Sequence, residues 1–306
     1  MRAALNVLAE ELRRLKATGQ KAVSVAPESM ARLQRAIAAQ RGSAGIAVAA
    51  EARVPAPIAS PVPPAVRRTV PVVEPVVKAP TLPPPPAVKL PDGEKKNRWA
   101  ALLELVTNDP VCRSHARPGK KVVLGVGDLD AQIMFVGEAP GAEEELQGEP
   151  FVGPAGQLLT KMIGAMGLKR SDVYIGNIMN WRPELPLTGG GVQVGNRPPT
   201  EEEMRYCLPF LRAQIEIVQP RLMVALGSTA AQGLLGFGTF KALGEVRGQW
   251  KDFSGTPLLV TYHPSYILRS QSNRSKRMIW EDLLKVMERA ALPVSEKQRG
   301  YFLENK

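Results

Sequence analysis

The chain has 306 residues, enough for one to three domains with a sizeable core, and carries 40 Lys and Arg against 29 Asp and Glu. That net charge of +11 favours a polyanionic partner, nucleic acid first, over an acidic one. Only two cysteines, Cys112 and Cys207, argue against a disulfide framework, no apolar run reaches the roughly 18 residues of a membrane span, and Glu10 and Glu11 interrupt any secretory core, so a cytoplasmic protein is expected.

In chain order, residues 1–42 hold short amphipathic helices. Leu5, Leu8, Leu12 and Leu15 recur at three- and four-residue spacing, and Met30, Leu33 and Ile37 form a second apolar side. Each is too short to bury a core alone. Residues 43–95 form a Pro-rich linker, because proline removes backbone donors and favours extended polyproline, so a stiff, disordered N-terminal extension is expected. Residues 1–95 contain 14 Lys and Arg against 7 Asp and Glu, and so hold +7 of the net charge. Three roles fit this tail: an electrostatic hold on DNA, docking of the first helix on a repair or replication protein, or solubilisation.

After Lys96 the pattern alternates. "KVVLGVG", "QIMFVG", "DVYIGN", "RLMVALG" and "PLLVTYH" read as buried strands; "AGQLLTKMIGAMG", "TEEEMRYCLPFLRAQIEIV", "STAAQGLLG" and a closing stretch from Lys276 to Ala291 read as helices. Such alternation predicts an α/β fold for residues 96–306, with a mostly parallel sheet covered on both faces. In an open parallel sheet the ligand sits outside the carboxyl ends of the strands. Three of these strands end in unusual polar text: "GEAPG" after Val136, "GNIMNWRP" after Ile175 and "YHPSYILR" after Val260. A Gly-Pro-Ala-Gly turn follows Phe151, where helix-opening amides can receive phosphate and an aromatic face can stack on a base.

Taken together, "GEAPG", "GEPFVGPAGQLL", the strand end at Asn177, "NRPPTEEEMRYCLPFL" and "HPSYILR" resemble the family 4 uracil-DNA glycosylases, from about Asn97 to Arg289. The resemblance implies a three-layer α/β/α sandwich around a short parallel sheet, and excision of uracil from DNA. It makes Glu138, Asn177 and His263 the catalytic candidates. Asn177 would read uracil, His263 would sit beside the leaving base, and Glu138 would either hold the attacking water or face the oxocarbenium charge. Phe151 becomes the stacking platform, Glu144 the group beside C5 that refuses thymine, and Gly137 and Ala139 further substrate contacts. DNA contacts are expected from Gly153, Gly156, Ser228, Ser265, Tyr266, Arg269 and the "NRSKR" run, with Tyr266, Ile267 and Leu268 as a wedge. The alternative is a catalytically inactive DNA-binding or polymerase-associated module of the same fold. A monomer is expected.

The family usually carries a four-iron cluster on four cysteines. Here Cys112 and Cys207 match two positions, while Asp109 and Trp181 stand at the other two. Two thiolates do not supply the usual four ligands, so the cluster is expected to be lost, with no metal or other cofactor, the cysteines being remnants and Trp181 filling the vacated volume. The inserted "ELPLTGGGVQVG" is expected to be a mobile loop.

Overall fold

The computed structural model describes residues 82–185, 193 and 195–303. The amphipathic helices and most of the linker expected in residues 1–81, and most of the inserted loop, lie outside the described residues. The folded body starts earlier than the text change at Lys96 suggests. Leu82, Val88 and Leu90 pack against the core, and the Leu82 amide donates to Glu202 (2.7 Å). Proline-rich backbone has few internal hydrogen bonds to lose, so it can lie extended along a surface that its interspersed aliphatic side chains cover.

Two helices, α1 (Lys95–Asn108) and α2 (Pro110–His115), precede the sheet. The strands are β1 (Val126–Gly127), β2 (Ile133–Gly137), β3 (Tyr174–Asn177), β4 (Leu222–Leu226), β5 (Trp250–Phe253) and β6 (Thr256–Thr261), in the spatial order β1-β3-β2-β4-β6-β5. The central four are mutually parallel, and the two edge strands pair antiparallel. Between them run α3 (Ala142–Gln147), α4 (Pro154–Ala165), α5 (Glu201–Val218) and α6 (Ser228–Leu235), and after β6 come α7 (Pro264–Arg269), α8 (Asn273–Arg289) and α9 (Glu296–Arg299).

Alternation along the strands divides the interior. Met134 and Val136 of β2, Met223 and Ala225 of β4, and Leu258 and Val260 of β6 join Leu102 and Val106 of α1 and Phe210, Leu211 and Ile217 of α5. Their neighbours Ile133, Phe135, Leu222, Val224, Leu226 and Leu259 join Leu159 and Ile163 of α4 and Ile279, Leu283 and Val286 of α8 on the opposite face. A sheet buried on both faces between helical layers is the three-layer sandwich expected.

Two elements differ from the sequence reading. "KVVLGVG" contributes only Val126 and Gly127 to the sheet. Val123 and Leu124 are buried, but the backbone amides go elsewhere: Val123 donates to the Asn180 carbonyl (2.8 Å) and Gly125 to Gln214 Oε1 (3.0 Å). Apolar content does not distinguish a ladder strand from a buried crossing segment. The sequence reading also passed over β5, whose "WKDF" carries charge suited to an edge. It is joined to β6 by Ser254 and Gly255, both with positive φ (53° and 86°), the primed turn that matches hairpin twist.

Candidate active site

The parallel strands β2, β3, β4 and β6 all point the same way, so their carboxyl ends meet at one edge. Gly137 stands opposite Asn177 in the β2–β3 register, Leu226 opposite Thr261 in β4–β6, and the Gly227 amide donates to the Thr261 carbonyl (2.8 Å). A cleft of about 670 Å³ opens there, lined among others by Glu138, Ala139, Glu144, Phe151, Asn177 and His263. Glu138 and His263, 125 positions apart in the chain, thus share one wall.

Asn177 ends β3, where the pleat turns its side chain toward the edge. Its Oδ1 is buried and has no hydrogen-bond partner among the described residues, which in a dry site costs about 1–3 kcal/mol unless a ligand donor arrives. A methyl group at Gly137 would overlap this Oδ1 and the Phe151 ring, so the bare glycine lets amide and ring crowd over the end of β2. Phe151 itself is buried in a left-handed conformation (φ 54°), rare for a large side chain and the kind of strain that functional sites retain. Its ring centroid lies 5.6 Å from that of His263.

His263 opens α7 as its N-cap. Nδ1 accepts the Ser265 amide (3.2 Å) and lies 2.8 Å from Ser265 Oγ, which also accepts from Arg269 Nη1 (3.2 Å). Burial, with a smaller push from Arg269, lowers its pKa to about 4. The ring is therefore neutral near pH 7, and with Nδ1 occupied as acceptor its proton resides on Nε2. Burial likewise raises the pKa of Glu138, against an opposing hydrogen bond from Thr229.

Glu144 lines the cleft with its carboxylate pinned: Oε1 accepts from the amides of Val152 (3.0 Å) and Gly153 (2.9 Å), and Oε2 from Gly141 (3.1 Å). The next residue, Glu145, turns inward. It meets both Arg117 (2.7 Å) and the buried Arg182 (3.0 Å), and Arg182 Nε in turn donates to Asn196 Oδ1 (2.7 Å) on the cleft wall. This ion triplet ties the segment after β2 to the segment after β3.

Several expected DNA contacts have other occupations. The Gly153 amide is taken by Glu144. Gly156 is buried and lies so close to the Phe151 carbonyl that a methyl would overlap it, so it permits helix packing and does not line the cleft. Ser265 holds the imidazole. Ile267 is buried in the sheet-side core, because α7 is a helix and turns that residue inward; only Leu268 of the expected wedge is exposed. In the "NRSKR" run, Arg277 is bound to Glu281 (2.9 Å) and to the carbonyls of Arg299 (2.7 Å) and Tyr301 (2.9 Å). Gly153, Ser228, Ser265, Tyr266 and Arg269 do line the cleft. So do Thr229, Tyr262, Asn196 and Arg197, which the sequence reading did not single out; Arg197 is gripped by Glu203 through two contacts of 2.7 and 2.6 Å. "NRPP" directly before a capped helix was a signal for the latter pair.

Around the cysteines the donor set does not fit a four-iron cluster. Cys112 and Cys207 are buried thiols, and burial raises the pKa of both. The Asp109 carboxylate caps α2, accepting from Val111 (3.0 Å) and Cys112 (2.8 Å), and also receives the Tyr206 hydroxyl (3.1 and 3.0 Å). Trp181 is fully buried, stacked on His115 with centroids 4.8 Å apart and planes within 8°. Among the described residues no three His, Cys, Asp or Glu side chains are grouped to hold a metal ion.

The model of the uracil DNA glycosylase superfamily matches residues 124–284. A type-4 uracil-DNA glycosylase of Thermotoga maritima is 45% identical over 165 residues, covering 54% of this chain and 80% of that protein. Type-4 enzymes of Pyrobaculum aerophilum (39% over 183 residues, 57% of this chain, 87% of that protein) and Archaeoglobus fulgidus (40% over 152 residues, 48% and 71%) are similar in the same way. The chain belongs to the uracil-DNA glycosylase superfamily.

Proposed function

We propose that this protein hydrolyses the N-glycosidic bond of deoxyuridine in DNA, releasing uracil and leaving an abasic site for base excision repair. The observation that carries the reading is Asn177, whose buried Oδ1 has no partner among the described residues, lining the same cleft as the neutral His263 and the strained Phe151. The target nucleotide must leave the base stack to reach such a cleft. Asn177 Oδ1 takes the N3–H of uracil and its amide nitrogen donates to O4. Cytosine presents the reversed pattern and leaves both groups unpaired, at about 1–3 kcal/mol each. Phe151 stacks on the ring. Thymine differs by a single methyl group, which weak apolar discrimination does not reject, so a rigid wall is needed. A carboxylate held by three amides, as Glu144 is, has that rigidity.

Breaking the C1′–N1 bond sends its electron pair onto uracil, while positive charge grows on the sugar. His263 Nε2–H donates to O2 of the departing anion; such aligned donors contribute about 3–4 kcal/mol elsewhere. Water adds to C1′ and gives its proton to Glu138, whose burial-raised pKa suits a base. No step requires iron. The two protonated thiols, the occupied Asp109 and the Trp181–His115 stack support loss of the cluster, so freshly purified protein should show no broad brown visible band; about four irons per chain would overturn this part. For the activity itself, single- and double-stranded oligonucleotides bearing one uracil are incubated and then cleaved with alkali. Strand breaks at the uracil are expected. Absence of abasic sites, with wild type and Asn177→Ala binding DNA equally, would leave only the inactive DNA-binding module.

A further inference from the structure

A second groove, of about 730 Å³, shares α3 with the cleft: Glu143 and Glu144 near the start of that helix line the cleft, and Gln147 at its end lines the groove. One wall of the groove is a stripe of α1, Trp99, Leu103 and Thr107, spaced four residues apart. Trp99 is fixed there by its Nε1, which donates to the Tyr174 hydroxyl (3.0 Å). The other wall is the run 121–126, which leads the chain into β1 at the margin of the sheet. Backbone bonding along this run alternates. The amides of Lys121, Val123 and Gly125 donate to the carbonyls of Glu145 (2.7 Å) and Asn180 (2.8 Å) and to Gln214 Oε1 (3.0 Å), and the Val123 carbonyl accepts from Asn180 Nδ2 (3.1 Å). Neither the amide nor the carbonyl of the intervening Val122 and Leu124 has a partner among the described residues, and both residues line the groove. Successive residues of an extended chain present their backbone groups to opposite sides, so these four groups form an unpaired strand edge. The facing helix does not satisfy them, because a helix bonds its own amides and carbonyls.

The rim of the groove is basic. Arg117, Pro118, Gly119 and Lys120 form a turn, closed by the Lys120 amide on the Arg117 carbonyl (2.9 Å), with Gly119 at the positive φ (74°) that a type II turn requires. Arg113, Arg117, Lys120 and Lys121 line the groove against one lining carboxylate, Glu149. Arg117, Lys120 and Arg182 all meet the single carboxylate of Glu145 (2.7, 3.8 and 3.0 Å), which leaves that cluster net positive. We propose that the outer edge of residues 121–126 is a protein-docking site, which takes an extended acidic segment of a partner as an added strand. The partner's backbone bonds Val122 and Leu124, its carboxylates meet the four rim cations, and its alternate apolar side chains lie against Trp99 and Leu103. Nucleic acid fits less well. A phosphodiester backbone has no donors for the two open carbonyls, and a strand arriving from the cleft passes the exposed Glu143 and Glu149. The chain's own residues 1–95, with 14 Lys and Arg against 7 Asp and Glu, repeat the sign of the rim. The inference does not depend on the chemistry of the cleft.

The test uses the full chain and a short fluorescent peptide that alternates valine with aspartate, read by fluorescence anisotropy and by amide hydrogen exchange. Without peptide the amides of Val122 and Leu124 should exchange fast; with it both should be protected. A peptide with lysine in place of aspartate should not bind. N-methylation of the alternate residues that face the edge should abolish binding, since it removes the donors and leaves the charge. Arg113→Glu combined with Lys121→Glu should weaken binding about tenfold, with an unchanged circular dichroism spectrum. Failure of the valine–aspartate peptide to bind, or equal binding of its N-methylated form, would overturn the proposal. So would slow exchange of both amides in the free protein, which would mean that the edge is already covered. Protection of the same two amides by a uracil-free oligonucleotide, and not by the peptide, would make the groove a nucleic-acid surface instead.

Discussion

The cleft at the carboxyl edge and the cluster-like region around Cys112 and Cys207 lie in one domain, and they treat buried polarity in opposite ways. At the edge, Asn177 lines the cleft with its Oδ1 unpaired among the described residues, Phe151 holds a left-handed backbone, and His263 is kept neutral. Around the cysteines, the polar groups are absorbed into packing: Asp109 by three donors and two thiols by burial, with Trp181 fully buried in the same core cluster. Trp181 Nε1 is also buried without a partner among the described residues, but Trp181 is not among the residues that line this cleft. An unpaired group beside open volume points to function.

Substitutions should separate the two regions, the cysteine side moving stability and the cleft moving chemistry. Trp181→Ala removes a fully buried indole and should lower unfolding free energy by about 3–5 kcal/mol in denaturant titrations, while the folded fraction keeps its kcat. A large kcat defect in that fraction would merge the regions. His263→Ala should do the reverse, reducing single-turnover uracil release about 10²–10³-fold with an unchanged denaturation midpoint within about 1 kcal/mol.

Smaller effects sharpen the same contrast. The folded pKa of His263, about 4, lies below its unfolded value near 6.5. Between those values the unfolded chain binds more protons, so His263 contributes a loss of stability as pH falls from about 6.5 to about 4, and none above. His263→Gln should flatten the stability-versus-pH curve in that window; an unchanged slope would mean that the imidazole is not held neutral. Trp181→Phe keeps an aromatic ring but removes the unpaired N–H, so it should alter stability by less than about 1 kcal/mol. A destabilisation near that of Trp181→Ala would show that the indole N–H has a partner in solution.

Much of the cleft was legible because its residues sit at strand ends, where short polar motifs interrupt apolar runs. The match of β2, β3, β4 and β6 to four of the five expected strands follows from the same signal. What could not be read depends on pairing across the fold. The Arg117–Glu145–Arg182 triplet joins residues up to 65 positions apart, and no local pattern marks Glu145 as buried beside its exposed and pinned neighbours. α3 had a usable signal: three glutamates directly after Gly141-Ala142 suit the positive end of a helix. The close packing of Gly156 against Phe151 and the hydrogen bond of Ser265 to His263 likewise appear only in three dimensions.

The central claim is that Asn177 and His263 close on one pyrimidine ring. It is tested most directly by titrating free uracil into isotopically labelled protein and following the side-chain amide of Asn177 and the ring signals of His263 together. Both sets should move along a single binding curve, and cytosine at the same concentration should move neither. Uracil binding that shifts one residue and leaves the other untouched would contradict the account.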